Sequence, residues 1–145
     1  MLACLLAVPW SAPVAQCSRG TLTGQVTYVR DGDTIELAEM AIRLQGLAAP
    51  EWNEPRGRKA REAMISLVHG HTVRCELDGT RTDGRCIGIC YLEGQDISEA
   101  MVRRGVARDS PRFSGARYGP AERRAAAEGS TMGRDYPLSG YCRPR

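Results

Sequence analysis

Val29-Arg30-Asp31-Gly32-Asp33-Thr34 and Ile42-Arg43-Leu44-Gln45-Gly46-Leu47-Ala48-Ala49-Pro50-Glu51 are the stretches on which the fold and chemistry of this chain turn. An Asp-Gly pair between β-branched and apolar residues is a hairpin signal. Gly24 to Val29 and Thr34 to Leu37 therefore read as two strands joined through Asp31-Gly32. A third strand covers Ala41 to Leu47, where alternation places Ile42 and Leu44 on one face and Arg43 and Gln45 on the other. Gly46 marks a bend before the corner at Pro50. Two aspartates, an arginine and a glutamate thus come from adjoining elements, the raw material of a site for a divalent cation and a phosphate.

Working outward, Ala60, Ala63, Met64 and Leu67 recur at three- and four-residue steps, which predicts a helix over Pro55 to His69 closed by Gly70. Thr72 to Leu77 and Cys86 to Tyr91 read as the fourth and fifth strands, separated by a polar turn from Asp78 to Gly84. A short helix follows over Asp96 to Arg104, with Ile97, Ala100 and Met101 inward and Gly105 as its stop. Residues 108 to 118 form an arginine-rich loop, a last helix runs from Pro120 through Glu128, and the chain beyond Gly133 reads as irregular. Five short strands with a helix inserted before the fourth make an α+β, mainly β chain with about three helices, compatible with an OB-type barrel.

A length of 145 residues predicts one domain over residues 16–145. The formal charge is +3, but residues 103 to 145 carry ten arginines against Asp109, Glu122, Glu128 and Asp135. That asymmetry suits a polyanionic partner, and equally a solvated helix face in a chain whose only lysine is Lys59. Residues 1–15 read as the end of a secretory signal: Leu2 to Val8 is too short an apolar run to span a bilayer, and Ser11 to Ala15 supplies small residues for cleavage. The expectation is an exported protein, periplasmic or secreted, without a membrane span and monomeric. Cys17, Cys75, Cys86, Cys90 and Cys142 then imply one or two disulfides with a thiol left over. Cys75 with Cys90 is the first pairing expected, on neighbouring strands, and Cys17 with Cys142 would tie the termini. No Cys-x-x-Cys pair supports a zinc site.

Asp31-Gly32-Asp33-Thr34, Ile42-Arg43-Leu44, Pro50-Glu51, Asp83-Gly84-Arg85 and Val102-Arg103-Arg104-Gly105-Val106-Ala107 follow one another as in the staphylococcal nuclease (thermonuclease) family, which this chain resembles from about residue 24 to 133. The resemblance implies a five-stranded OB-fold barrel and a calcium-dependent endonuclease or phosphodiesterase acting on single-stranded DNA or RNA. By position, it implies that Asp33 binds calcium, that Ala49 lends its backbone carbonyl, and that Asp31 stands in the outer shell. Arg43 and Arg85 match the phosphate-binding arginines, and Glu51 matches the proposed base. Ala48 stands where the family carries a second calcium-ligating aspartate. The tyrosine common before the second arginine is absent; Phe113 and Tyr118 offer alternative stacking faces for substrate, or else cap the core. The Leu47-Ala48-Ala49-Pro50-Glu51 segment is similar to an exported branch that includes a succinoglycan biosynthesis protein. That similarity implies an alternative, a non-catalytic barrel binding another polyanion in cell-envelope or exopolysaccharide synthesis.

Overall fold

The computed structural model describes residues 16–145, and the expected signal segment lies outside them. In chain order the elements are β1 (Gly20–Asp31), β2 (Thr34–Leu37), β3 (Met40–Leu44), β4 (Leu47–Ala48), α1 (Gly57–Val68), β5 (Thr72–Thr82), β6 (Arg85–Leu92), β7 (Gln95–Asp96), α2 (Ile97–Arg103), β8 (Arg108–Asp109), α3 (Pro111–Ser114), α4 (Gly119–Ala127) and α5 (Met132–Asp135). A last turn of 3-10 helix covers Gly140–Cys142. The two helices beyond those expected, α3 and α5, are single turns within segments read as loop and irregular chain.

The frame is set by β1, which is longer than its predicted core because it serves two neighbours. Gly20 to Gln25 pair antiparallel with β5, and Val26 to Asp31 pair antiparallel with β2. The sheet runs β3-β2-β1-β5-β6-β7, and β3 also pairs in parallel with β6. Five strands are thereby hydrogen-bonded in a ring, the arrangement expected of an OB-type fold. Edges that would otherwise face solvent are consumed by that closure.

Alternation sends Ile35 with Leu37 and Ile42 with Leu44 inward, and an irregularity of β1 between Val26 and Tyr28 turns Val26 and Val29, three residues apart, to the same side; α1 and α2 cover this core. On α1 the buried face is Ala60, Met64 and Val68, so Ala63 and Leu67 of the predicted stripe lie at its margin. α2 buries Ile97, Ala100 and Met101 as its periodicity predicts, and the Asp96 carboxylate caps it by accepting from Ser98 N at 2.9 Å and Glu99 N at 3.3 Å.

The predicted turn over Asp78 to Gly84 is mostly strand. β5 continues to Thr82 through an irregularity between Leu77 and Arg81, where the Asp78 carboxylate accepts from Thr80 N at 2.7 Å. The reversal itself is only Asp83-Gly84, both at positive φ (46° and 75°), the geometry of a two-residue hairpin loop.

Cys75 and Cys90 are direct register partners and form a disulfide, as expected from adjoining strands. The other expected bridge is not made: Cys17 joins Cys86, and Cys142 has no disulfide partner among the described residues. The register explains the exchange. Gly20 lies opposite Leu77, which in turn lies opposite Gly88, so the residues just before β1 reach the start of β6 rather than the far terminus.

The two bridges close loops of very different length, 69 and 15 residues of separation. Loop-closure entropy then predicts losses of roughly 4 kcal/mol for Cys17→Ala with Cys86→Ala and roughly 3 kcal/mol for Cys75→Ala with Cys90→Ala. Urea denaturation of the two double variants checks the order; a reversed ranking contradicts it.

Candidate active site

Register brings the first group of side chains together. Thr34 of β2 is the Cα partner of Arg43 in β3, and β3 lies beside β6, which begins at Arg85. Asp33, in the turn before β2, is buried at 4 % exposure instead of standing at a solvated hairpin tip. Arg43 places Nη2 3.3 Å from Asp33 Oδ2. The same guanidinium is clamped by the carbonyls of Leu44 (2.6 Å) and Leu47 (2.8 Å), so its direction is fixed by backbone. Arg85 donates from Nη1 to Thr34 Oγ1 at 3.1 Å, and the Thr34 hydroxyl donates onward to Asp33 Oδ1 at 2.8 Å. Two guanidinium groups thus converge on one carboxylate, one directly and one through a hydroxyl.

Thr34 carries no signature of a site residue in the sequence taken alone. Its signal was there in the strand pairing: it follows Asp33 and sits across from Arg43. Burial pushes the Asp33 carboxyl above the usual carboxylate range, while Arg43 and the Thr34 hydroxyl pull it back.

The second group sits on the corner after Pro50. Glu51 is exposed as a residue. Its carboxyl is nonetheless raised above the ordinary glutamate value, first by partial desolvation and then by the negative fields of Asp31, Asp33 and Glu54, with Arg85 opposing. Asp31, Asp33, Glu51 and Arg85 therefore act within one electrostatic neighbourhood. The corner is built by local hydrogen bonds: Glu51 N donates to Glu54 Oε2 at 2.9 Å, and Trp52 N donates to Asp31 Oδ1 at 3.2 Å. Gly57, at the start of α1, packs directly under this corner; a Cβ there would fall 1.6 Å from the Glu51 carbonyl.

Ala49 and Ala48 are both buried. The Ala49 carbonyl accepts a hydrogen bond from the Tyr136 hydroxyl at 3.2 Å, so a residue from the C-terminal segment reaches the site. The Tyr136 phenol is pushed up to about 12 by burial and then chiefly by the negative charges of Glu54 and Asp33, and it stays a donor at neutral pH. Nothing in the sequence marked Tyr136, because its segment has no periodicity.

The aromatic pair behaves unequally. Tyr118 is 1 % exposed and its hydroxyl donates to Asp96 at 3.1 Å. It is a core residue with no face for a substrate, which corrects the stacking expectation. Phe113 is exposed, but its ring already rests against Tyr141, with centroids 4.9 Å apart and Arg112 beside both.

Residues 41–131 match the family described as staphylococcal nuclease homologue. The chain belongs to the staphylococcal nuclease family. The matched span contains Arg43, Glu51 and Arg85, while Asp31 and Asp33 precede it. Among relatives, an uncharacterized endonuclease of Escherichia coli O157:H7 is 38 % identical over 89 residues, covering 58 % of this chain and 58 % of the relative. The succinoglycan biosynthesis protein ExoI of Rhizobium meliloti is 30 % identical over 128 residues, 80 % of this chain and 66 % of that protein. The staphylococcal-like nuclease CAN1 of Arabidopsis thaliana is 32 % identical over 66 residues, 46 % of this chain and 20 % of the plant protein. The chain thus spans less than two thirds of the length of these relatives.

Staphylococcal nuclease homology implies calcium, and the donors here are sparse. Among the described residues no group of three His, Cys, Asp and Glu side chains converges to hold a metal ion. Asp33 offers a carboxylate and Ala49 a carbonyl with a second lone pair, against the six to eight oxygens that calcium takes. Buried Ala48 offers none. Two such donors fall well short of that number and make no closed cage.

Two substitutions test how the site is held. Gly57→Ala forces the Glu51 corner to move and is expected to cost roughly 1–3 kcal/mol. Tyr136→Phe removes one hydrogen bond from the Ala49 carbonyl and is expected to cost about 0.5–1.5 kcal/mol. Chemical denaturation measures both, and wild-type stability in Gly57→Ala would contradict the contact.

Proposed function

We propose that this chain is an exported phosphodiesterase that cleaves single-stranded DNA or RNA through Arg43, Arg85 and Glu51. The observation that carries the reading is the linked set Arg85, Thr34, Asp33 and Arg43, with the Glu51 carboxyl in the same field. Hydrolysis of a phosphodiester builds negative charge on the phosphoryl oxygens and needs a proton removed from the attacking water. Arg43 and Arg85 supply the positive charge, and backbone clamping of Arg43 lowers the reorganisation needed when that charge develops. Glu51 takes the proton, its carboxylate made more basic first by partial desolvation and then by its acidic neighbours. Asp33 and the Ala49 carbonyl would hold a calcium ion weakly. When bound, that ion adds Lewis-acid charge at a phosphoryl oxygen. Two disulfides support an oxidising compartment, periplasmic or secreted, and no described helix is long and apolar enough to cross a membrane.

A second reading is favoured by Ala48 and by the similarity to ExoI along 80 % of the chain. In it the barrel binds a polyanion of the cell envelope without cleaving it, and the arginines serve only as anion contacts.

The test is cleavage of a labelled oligonucleotide by the mature, oxidised protein across a calcium titration. Glu51→Gln, Arg43→Ala and Arg85→Ala are each expected to lower the rate on the order of a hundredfold or more. Absence of cleavage by folded protein near ~10⁻³ M calcium removes the enzymatic reading. Ala48→Asp restores a carboxylate and is expected to tighten calcium about a hundredfold, equivalent to roughly 2.7 kcal/mol. Titration calorimetry reads this gain, and no gain favours the non-catalytic reading.

A further inference from the structure

Beside the Glu51 corner lies an open groove of about 560 Å³ lined by Tyr28, Arg30, Asp31, Trp52 and Arg61. None of these except Asp31 has a role in the chemistry above. Trp52 is 66 % exposed and Tyr28 50 % exposed, an uncommon cost for large rings on a surface. The other exposed aromatics, Phe113 and Tyr141, lie against each other, whereas no aromatic or cation partner covers the Trp52 ring among the described residues. Tyr28 has one face near the Arg61 guanidinium, 5.6 Å from the ring centre.

The arginines of the groove differ in a useful way. Arg30 is neutralised by Glu36 at 2.5 Å. Arg61 is held by the carbonyls of Val29 (3.0 Å) and Arg30 (3.1 Å) and has no carboxylate partner among the described residues. It is an oriented guanidinium with its charge uncompensated, suited to a phosphate. Asp31 borders the groove and binds Trp52 N, so a phosphate is disfavoured beside it and favoured toward Arg61.

Trp52 directly follows Glu51 in the chain. A strand with its scissile phosphate at Arg43 and Arg85 would therefore lay a neighbouring nucleotide along these rings. We propose that this groove is a nucleotide subsite, in which a base stacks on Trp52 and Tyr28 while a flanking phosphate meets Arg61. The subsite rests on the phosphodiesterase reading for its substrate but uses none of the residues assigned to the chemistry. The combination of bare ring faces with one free guanidinium is what single-stranded nucleic acid takes, since every base has a π face. The volume falls in the range of ligand pockets.

The experiment is fluorescence anisotropy with fluorescein-labelled oligo(dT) at low ionic strength on the full oxidised chain, alongside the cleavage assay. Trp52→Ala is expected to weaken binding about ten- to a hundredfold, Trp52→Phe to stay within about threefold, and Arg61→Gln to weaken binding and flatten its salt dependence. Abasic oligomer of equal length is expected to compete at least tenfold more weakly than oligo(dT). Binding by Trp52→Ala within twofold of wild type, or equal competition by abasic oligomer or polygalacturonate, overturns the subsite. The two readings fail separately. Wild-type cleavage and binding in Trp52→Ala removes the subsite and leaves the phosphodiesterase. Loss of oligo(dT) binding in Trp52→Ala without cleavage by any form removes the enzyme and leaves a base-binding groove.

Discussion

The pairing of β3 with β6 is the constraint from which the rest follows. Ile42 lies opposite Cys86 and Arg43 opposite Ile87 in a parallel register, although the two strands are more than forty residues apart in sequence. That contact turns an open sheet into a ring and sets Arg85 beside the β2–β3 hairpin. Without it, Arg43 and Arg85 would belong to different edges. Non-local pairing of this kind must pay loop-closure entropy before any contact repays it, which is why it benefits from the long β1 that already spans both halves of the sheet.

On that ring the electrostatics are unequal by design of the sequence. One buried carboxylate faces two guanidinium groups, and the remaining acids, Asp31, Glu51 and Glu54, stand on the corner beyond. The buried side of the site is therefore cationic and its rim anionic. Where side chains are partly removed from water, as Asp33 and Arg43 are, such charges act at an effective dielectric well below that of solvent. Ala48, buried nearby in the chain, adds no further carboxylate to this balance.

Much of this was legible in the sequence because it is local. Period-2 alternation marks the inward face of β3 at Ile42 and Leu44, three- and four-residue recurrence marks α1 and α2, and the Cys75–Cys90 bridge follows from two adjoining strands; the irregularity in β1 that turns both Val26 and Val29 inward has no such mark. What escaped depends on distant partners. Cys17 meets Cys86 through a register shared by three strands, and no spacing rule encodes that. Tyr136 reaches Ala49 across 87 residues from a segment without pattern. Tyr118 and Phe113 share a loop and a residue class, yet one is buried on Asp96 and the other is exposed. Burial at that point is decided by α2 packing on α4, which composition does not reveal.

The Cys17–Cys86 bridge has a temporal side. Cys86 follows Arg85 immediately, so the covalent tether ends one residue from a guanidinium of the site. A newly synthesised chain in reducing surroundings lacks that tether and holds the strand end by hydrogen bonds alone. Oxidation of this pair therefore adds a covalent restraint at the strand end that carries Arg85, so the redox state of the surroundings bears directly on how firmly that guanidinium is held.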